Sequence, residues 1–381
     1  MKRKPLISLE TFVFLGVLVG AFVYLGQVMG VGPLFSTLIK TAHALLLDVV
    51  LLIMAVSVLT GALAQLLSDF GVVALLNRLI SPAMRGMYGL PGAASLAVLT
   101  TFLSDNPAVL TLTNDKGFTR YFQPWQLPTL CNLGTSFGMG LVLSTYMISL
   151  GDGTDYVLPT MIGVLGAVLG SVVSVRLMMV FCRRAFGIRR ADEKTLNQKS
   201  RRDAACETRL VQGSIFQRIT DDVLIGGKAG VDMGMSIIPG VLIVCTAVMM
   251  LTFGPGDTGY TGAAYEGVAL LPKLGRFLQP VTDVLFGFSN EENITFPLTS
   301  LGAVGAAMGL VPHMIEAGTA GPNEIAVFTA MGMCWSGYLS THVSMMDALG
   351  QRRLIGKALL SHTIGGIFAG ICAHYLYLLF V

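Results

Sequence analysis

The sequence is short of charge. Only 12% of its 381 residues are Asp, Glu, Lys or Arg, about half the share found in soluble domains. With 53% hydrophobic residues and a mean hydropathy of +0.71, it has too little polar surface to cover its apolar mass in water. A water-soluble enzyme is excluded on that ground, and disorder, collagen and coiled coil fail on the same numbers. No CxxC pair occurs. Cysteines 131, 182, 206, 245, 334 and 372 sit mostly in apolar runs and are expected as buried thiols, neither disulfides nor metal ligands. The five histidines (43, 313, 342, 362 and 374) form no HxxxH pair, so no zinc site is expected. HExxH is missing. Gly227-Lys228 lacks the upstream Gly and the following Ser/Thr of a Walker A loop, which argues against ATP-driven transport by this chain alone. No catalytic residue and no metal or organic cofactor is therefore expected.

What is present is hydrophobic length. A span needs about 20 predominantly apolar residues. Seven stretches qualify: 11–31, 43–68, 124–150, 157–182, 229–253, 322–348 and 354–381. The opening Met1-Lys2-Arg3-Lys4 suits a signal peptide, but no small-x-small cleavage site follows, so an uncleaved first span is expected. Stretches 90–112 and 289–314 are interrupted, the first by Ser104-Asp105-Asn106-Pro107, the second by Ser289-Asn290-Glu291-Glu292-Asn293 and Pro297. Segments 70–85 and 265–284 are shorter, end near Pro, and read as interfacial helices. Glycine, at 45 residues, suits close helix packing in lipid.

Charge sets the topology. Ten of the 25 Lys/Arg fall between Arg183 and Asp222, the longest polar stretch. This stretch and the N-terminus are both expected in the cytoplasm, so an even number of crossings must separate them. Four plain spans do so only if 90–112 enters and leaves from one side as a re-entrant hairpin. Broken backbone at membrane depth is tolerated where protein or a watery cavity surrounds it. Treating 289–314 likewise puts 22 Lys/Arg inside and three (Lys40, Lys273, Arg276) outside. One Phe at each end of the basic stretch is no nucleic-acid module, so no nucleic acid is expected; the stretch serves as an anchor on anionic lipid.

The halves repeat. Leu76-Asn77-Arg78-Leu79-Ile80-Ser81-Pro82 aligns with Leu274-Gly275-Arg276-Phe277-Leu278-Gln279-Pro280 at an offset of 198, and Gly89 then meets Gly287. Span, interfacial helix, hairpin, span, span recurs in each half, with opposite orientation. The expectation is an all-α polytopic membrane protein of two inverted repeats with re-entrant hairpins and an extra N-terminal span. Its parts are an N-terminal helix 1–40, a first repeat 41–182, a basic loop 183–222 and a second repeat 223–381. Inverted repeats with broken helices are the architecture of secondary transporters, with the site at the repeat interface.

Gly89-Leu90-Pro91-Gly92-Ala93-Ala94, with Phe102-Leu103-Ser104-Asp105-Asn106-Pro107-Ala108 after it, resembles the Gate ("nucleoside recognition") domain superfamily. That superfamily includes concentrative nucleoside transporters, spore-maturation membrane proteins and the membrane part of ferrous-iron transporters. Trp335-Ser336-Gly337-Tyr338, Gly356-Lys357 and Gly365-Gly366 are also distantly similar to ethanolamine-permease-type proteins. The resemblance spans roughly 41–381 and implies a carrier whose hairpin tips hold the solute. The polar nucleoside-contact motifs of a nucleoside carrier have no clear copy here.

The candidate residues follow from the price of polarity in lipid. Asp105, between Ser104 and Asn106, costs at least about 2.5–3.5 kcal/mol at membrane depth. Pro107 frees a carbonyl beside it, although Ser-Asp-Asn before Pro is also a good helix start. Glu291 and Glu292, flanked by Asn290, Asn293 and Thr295, point about 100° apart on a helix, so one could bind a cation while the other holds a proton. They could equally mark a hairpin entrance in water. Asn132, Thr135 and Ser136 in 124–150 have counterparts near Ser336, Thr341 and His342 in 322–348; Ser and Thr there also suit back-bonding to helix carbonyls. Glycines 163, 166 and 170, and 365, 366 and 370, suit helix contacts within the fold or a homo-oligomer face. The expected function is an H⁺- or Na⁺-coupled carrier of a small polar solute (nucleoside, amine or amino-acid-like), multi-pass in a bacterial inner membrane. Two alternatives stand beside it. One is an assembly partner docked through 183–222. The other is a membrane enzyme on a lipid-linked substrate, using Asp115, Lys116 and Arg120.

Overall fold

The computed structural model describes residues 7–104, 107–114, 116–188, 214–256, 258–302 and 304–381. Asp105, Asn106, Asp115 and most of the basic stretch 183–222 lie outside them. Among the described residues the chain is helical, with one isolated bridge between Gly256 and Gly259. Lipid explains why: only a helix satisfies its own backbone where no water is available. Helix α1 (Leu9–Met29) buries only Met29, while Phe12, Phe14 and Val17 on it are exposed. An apolar helix this bare is one solvated by hydrocarbon.

Two long helices follow the same plan. Helix α2 (Val31–Asp69, 39 residues) and the later α9 (Ile215–Thr252, 38 residues) each exceed a bilayer crossing. Each contains one π-helical stretch, at Leu45–Val50 in α2 and Gly240–Cys245 in α9. Both begin earlier than the apolar runs alone suggest, because the pattern 43–68 stops at Lys40 and His43. After α2 come the interfacial helix α3 (Val72–Ala83) and the first hairpin, α4 (Ala94–Leu103) and α5 (Pro107–Asn114). Stretch 124–150 is broken into α6 (Thr129–Thr135) and α7 (Gly140–Ser149), and α8 runs unbroken over Val157–Phe186. In the second half, α10 (Leu270–Phe286) is the interfacial helix. The second hairpin comprises α11 (Thr295–Ser300), α12 (Val304–Met308) and α13 (Val311–Glu316). Stretch 322–348 is also broken, into α14 (Pro322–Cys334) and α15 (Tyr338–Ala348). Helix α16 (Ile355–Phe380) ends the fold.

Backbone landmarks fix the repeat more firmly than sequence identity does. Left-handed residues precede the interfacial helices at Gly71 and Ala269 and follow them at Gly89 and Gly287. Left-handed residues also break the spans at Met139 and Gly337. Each pair is separated by 198 residues, as are the first residues of α8 and α16. A non-glycine residue in this region is strained by roughly 1–2 kcal/mol, so Met139 and Ala269 hold it because the fold requires it there.

The equivalent helices cross antiparallel. A Cβ on Gly61 of α2 would strike the carbonyl of Gly226 of α9, and one on Gly230 would strike that of Ser57. In the other pair, a Cβ on Gly170 of α8 would strike the carbonyl of Gly365 of α16, and one on Gly166 would lie 2.8 Å from that of Ala369. Glycine lets these backbones touch, and touching backbones are how helices associate without a hydrophobic drive between them. Antiparallel crossing of equivalent helices makes the two repeats inverted. One core runs through both repeats, from Leu45 and Ile53 to Phe296, Phe328 and Ala369.

The loop after α9 is tied to α2 by a carboxylate. Glu266, nearly buried, accepts from Thr261 N at 2.9 Å, Thr261 Oγ1 at 2.6 Å and Gly262 N at 2.9 Å. Ser36 donates to Gly262 O at 2.8 Å, and Tyr265 N to Thr41 Oγ1 at 2.9 Å. Burial opposes charge on Glu266, yet the Thr261 hydroxyl and the backbone N–H groups of 261–263 outweigh it and hold the carboxyl below its ordinary range. A lowered folded value stabilises above the unfolded pKa and is lost as pH falls through the folded one.

Two outcomes follow from this packing. Gly170→Leu should abolish folded protein after detergent extraction, whereas Gly20→Leu, where a Cβ meets nothing within 4 Å, should leave the melting temperature unchanged. Glu266→Gln should lose about 1–3 kcal/mol at pH 7, and the gap to wild type should close as the pH drops below about 4; an equal gap at both pH values would refute the loop's electrostatic origin.

Candidate functional site

The described residues show two hairpins and two broken spans, with each hairpin packed on the broken span of its own repeat. In the first hairpin, α4 ends at Leu103 with Ser104 after it, and α5 starts at Pro107. In the second, α11 ends at Ser300 and α12 starts at Val304. Hairpin arm α5 lies against the break in the first span, since a Cβ on Gly134 would strike Val109, and α4 sends Phe102 to Gly140. In the second repeat Phe296 packs on Gly332 and stacks on Phe328 with ring centroids 4.3 Å apart.

The acidic pair is not at a turn. Glu291–Ile294 is a single 3₁₀ turn at the root of the second hairpin, some ten residues before its tip. Asn290 caps that turn, accepting from Glu292 N at 2.8 Å. Glu291 pairs with exposed Arg276 on α10 at 2.8 Å, so its role is to fasten hairpin to interfacial helix. Thr295 gives its hydroxyl to Glu292 O at 2.6 Å. Buried Asn293 donates to Glu324 at 3.4 Å, and its Oδ1 has no partner. The Glu292 carboxylate is half-buried and accepts no hydrogen bond among the described residues. The sequence left open whether the acids lie in the site or at a hairpin entrance; the 198-residue register pairs Glu292 with Ala94, the first residue of α4.

A second group surrounds the broken spans. Asn132 Nδ2 lies 3.0 Å from Ser174 Oγ, 3.0 Å from Ala358 O and 2.9 Å from Ser361 Oγ. Ser174 bonds His362 Nδ1 at 2.9 Å, and His362 Nε2 meets Cys334 O at the end of α14. The carbonyl fixes that tautomer: Nε2 donates, Nδ1 accepts. His342 Nδ1 meets Tyr338 O at 2.5 Å, and its ring lies 4.6 Å from that of His362. Asn132 Oδ1 and His342 Nε2 are buried without partners among the described residues. Asn132 and His342 are thus linked through Ser174 and His362 across both repeats, although the 198-residue register pairs Asn132 with Ala330 and His342 with Ser144 rather than with each other. Ser336 is buried at the second break. Thr135 and Ser136 bond back to Cys131 O at 2.8 Å and Asn132 O at 2.7 Å, which occupies their hydroxyls.

The third place is a cavity of about 220 Å³ between α2, α9, α4 and α7. Ser57, Thr60, Gln65, Ser68, Thr100 and Ser104 give it polar lining. It opens beside the first hairpin's turn, so Ser104 is the candidate that reaches open space. Sequence inspection passed over Ser57, Thr60 and Gln65, because single polar residues on a long apolar helix carry no pattern. Two short patterns also resolve. Gly134-Thr135-Ser136-Phe137-Gly138 has nucleophile-elbow spacing, yet Ser136 is fully buried in a helix end rather than raised on a strand-to-helix turn. Gly254-Pro255-Gly256-Asp257-Thr258-Gly259 has dinucleotide-loop spacing but follows a helix, where the motif needs a strand. No metal-holding group of three His, Cys, Asp or Glu occurs among the described residues.

This arrangement recurs in solved structures. The chain superposes on CNTnw in an inward-facing substrate-bound state with a TM-score of 0.54 at 14% identity, covering 97% of this chain and 87% of that one. A doubly substituted CNTnw in an outward-facing state gives 0.55 at 16%, covering 98% and 87%. The fold is that of concentrative nucleoside transporters. A singly substituted CNTnw in an intermediate state gives 0.53 at 16%, covering 94% and 80%. No protein-family model matches the sequence, and no curated protein does. Shared fold at this identity fixes the architecture and the multi-pass membrane setting, and the neighbours are transporters rather than enzymes.

Asn132→Leu should lower stability by about 2–4 kcal/mol, since it strands several buried partners at once. Glu291→Gln should leave the melting temperature within experimental scatter, because its partner Arg276 is exposed and surface pairs contribute little. The reverse order would show that the hairpin root, not the crossing network, holds the repeats together.

Proposed function

We propose that this chain is a secondary transporter for a small polar solute, of the nucleoside, amine or amino-acid class, driven by H⁺ or Na⁺. The observation that carries the reading is the inverted pair of hairpins and broken spans, shared with CNTnw over nearly the whole chain. The solute binds beside the first hairpin, where Ser104 lines the cavity and Asp105 and Asn106 follow in sequence, with Asn132, Ser336 and His342 at the span breaks contributing. Asn132 Oδ1 and His342 Nε2 await donors, which a solute with N–H or O–H groups supplies. Glu292, whose carboxylate has no partner among the described residues, attracts a cation at the root of the second hairpin. The N-terminus and the basic stretch face the cytoplasm of a bacterial inner membrane, and 1–40, 41–182, 183–222 and 223–381 act as anchor, first repeat, linker and second repeat. Interrupted helices suit this task, because their free backbone groups bind ions and polar solutes that whole helices cannot.

The test is uptake into proteoliposomes across a panel of nucleosides, amines and amino acids, under an imposed Na⁺ or proton gradient. Gradient-driven accumulation of at least one solute is expected, lost in Asp105→Asn and retained in Glu291→Gln. No accumulation of any panel member under either gradient, in protein that still melts cooperatively, would contradict the proposal.

A further inference from the structure

We propose that Asp222, with Gln65 beside it, forms a binding site for a small monovalent cation at the rim of the cavity. Asp222 closes the basic stretch in sequence, among Arg and Lys, and reads there as one more solvated charge. The structure starts α9 at Ile215, so Asp222 lies two turns into that helix and is only 6% exposed. Its Oδ1 accepts from Gln65 Nε2 at 3.2 Å. Its Oδ2 is buried with no hydrogen-bond partner among the described residues. A carboxylate oxygen sealed from water without a donor is costly, and such an oxygen is met by a cation or by a proton.

The nearest arginine is engaged elsewhere. Arg218, one turn earlier on α9, donates from Nε to Asp69 Oδ2 at 2.8 Å and from Nη2 to Asp69 O at 3.1 Å. Its guanidinium also stacks over Phe70, 4.7 Å from the ring centre. Arg218 is thus committed to Asp69, and no ion pair between it and Asp222 occurs among the described residues. Lys228, the next cation along α9, is exposed on another face.

The position favours a mobile ligand over a fixed one. Gln65 both donates to Asp222 and lines the 220 Å³ cavity, with Ser68 one turn along the same helix. Carboxylate, amide and hydroxyl oxygens are hard donors suited to an alkali cation or to the N–H groups of a solute ammonium. Both sources present the same chemistry. If the chain is a transporter, this is where a coupling ion or a cationic solute would pause beside the first hairpin's turn; that role rests on the proposed function, while cation binding itself does not.

The experiment is thermal melting of the purified full-length protein at constant ionic strength and pH 7.5. Sodium, potassium and methylammonium chlorides are each titrated against N-methylglucamine chloride. A ligand of the native state raises the melting temperature by mass action. At least one of the three cations should stabilise the wild type, and that effect should vanish in Asp222→Asn, which keeps the Oδ1 acceptor for Gln65. Sodium or potassium alone would identify an alkali-ion site; methylammonium alone would identify an ammonium site. Gln65→Met should weaken the midpoint at least about tenfold, and decides the matter if Asp222→Asn does not fold. Equal stabilisation in the variants, or none in the wild type, would overturn the cation site. Because no gradient is present, that failure is separate from failure of the transport assay.

Discussion

Hydrocarbon offers no hydrogen bonds, and the fold depends on that constraint. Every point where the chain leaves the helix must be enclosed by protein or wetted by a cavity. Among the described residues, two such points are the buried breaks in the spans at Met139 and Gly337. The fold encloses them by crossing equivalent helices so tightly that glycine alone fits at the contacts of α2 with α9 and α8 with α16. Shielding and function then share one cause. The same enclosure that makes the interruptions tolerable places polar backbone and side chains at the centre, where a solute can use them.

The centre is built from neutral groups. Asn132, Ser174, Ser361, His362 and His342 join both repeats through amide, hydroxyl and imidazole. Charges sit further out, at Glu292 on the hairpin root and at Asp69, Asp222 and Arg218 where α2 and α9 meet. Buried neutral networks fix geometry without the desolvation cost of ions, and peripheral acids can attract cations without locking the core.

Much of the fold was legible in the amino-acid pattern. Apolar runs located the spans, the parity of basic stretches implied re-entrant hairpins, and Arg78-to-Pro82 against Arg276-to-Pro280 gave the repeat offset that the left-handed residues obey. The breaks inside 124–150 and 322–348 left no such mark, since buried breaks need no charge, and Met139 reads as an ordinary apolar residue. The site was less legible. Glu291 and Glu292 looked alike in sequence, yet Arg276, distant along the chain, claims only the first. Asp222 was hidden at the end of the basic stretch, because sequence shows charge density and not the start of a helix. Ser57, Thr60 and Gln65 became visible only when the first hairpin was seen to stop beside them.

The central claim is that the two halves are inverted. Single cysteines at Arg78 and Lys273, one on each interfacial helix and both exposed, test it most directly when probed with an impermeant thiol reagent in sealed vesicles of known orientation. The account predicts that Arg78→Cys labels only from the cytoplasmic face and Lys273→Cys only from the opposite one. Labelling of both from the same face would contradict it.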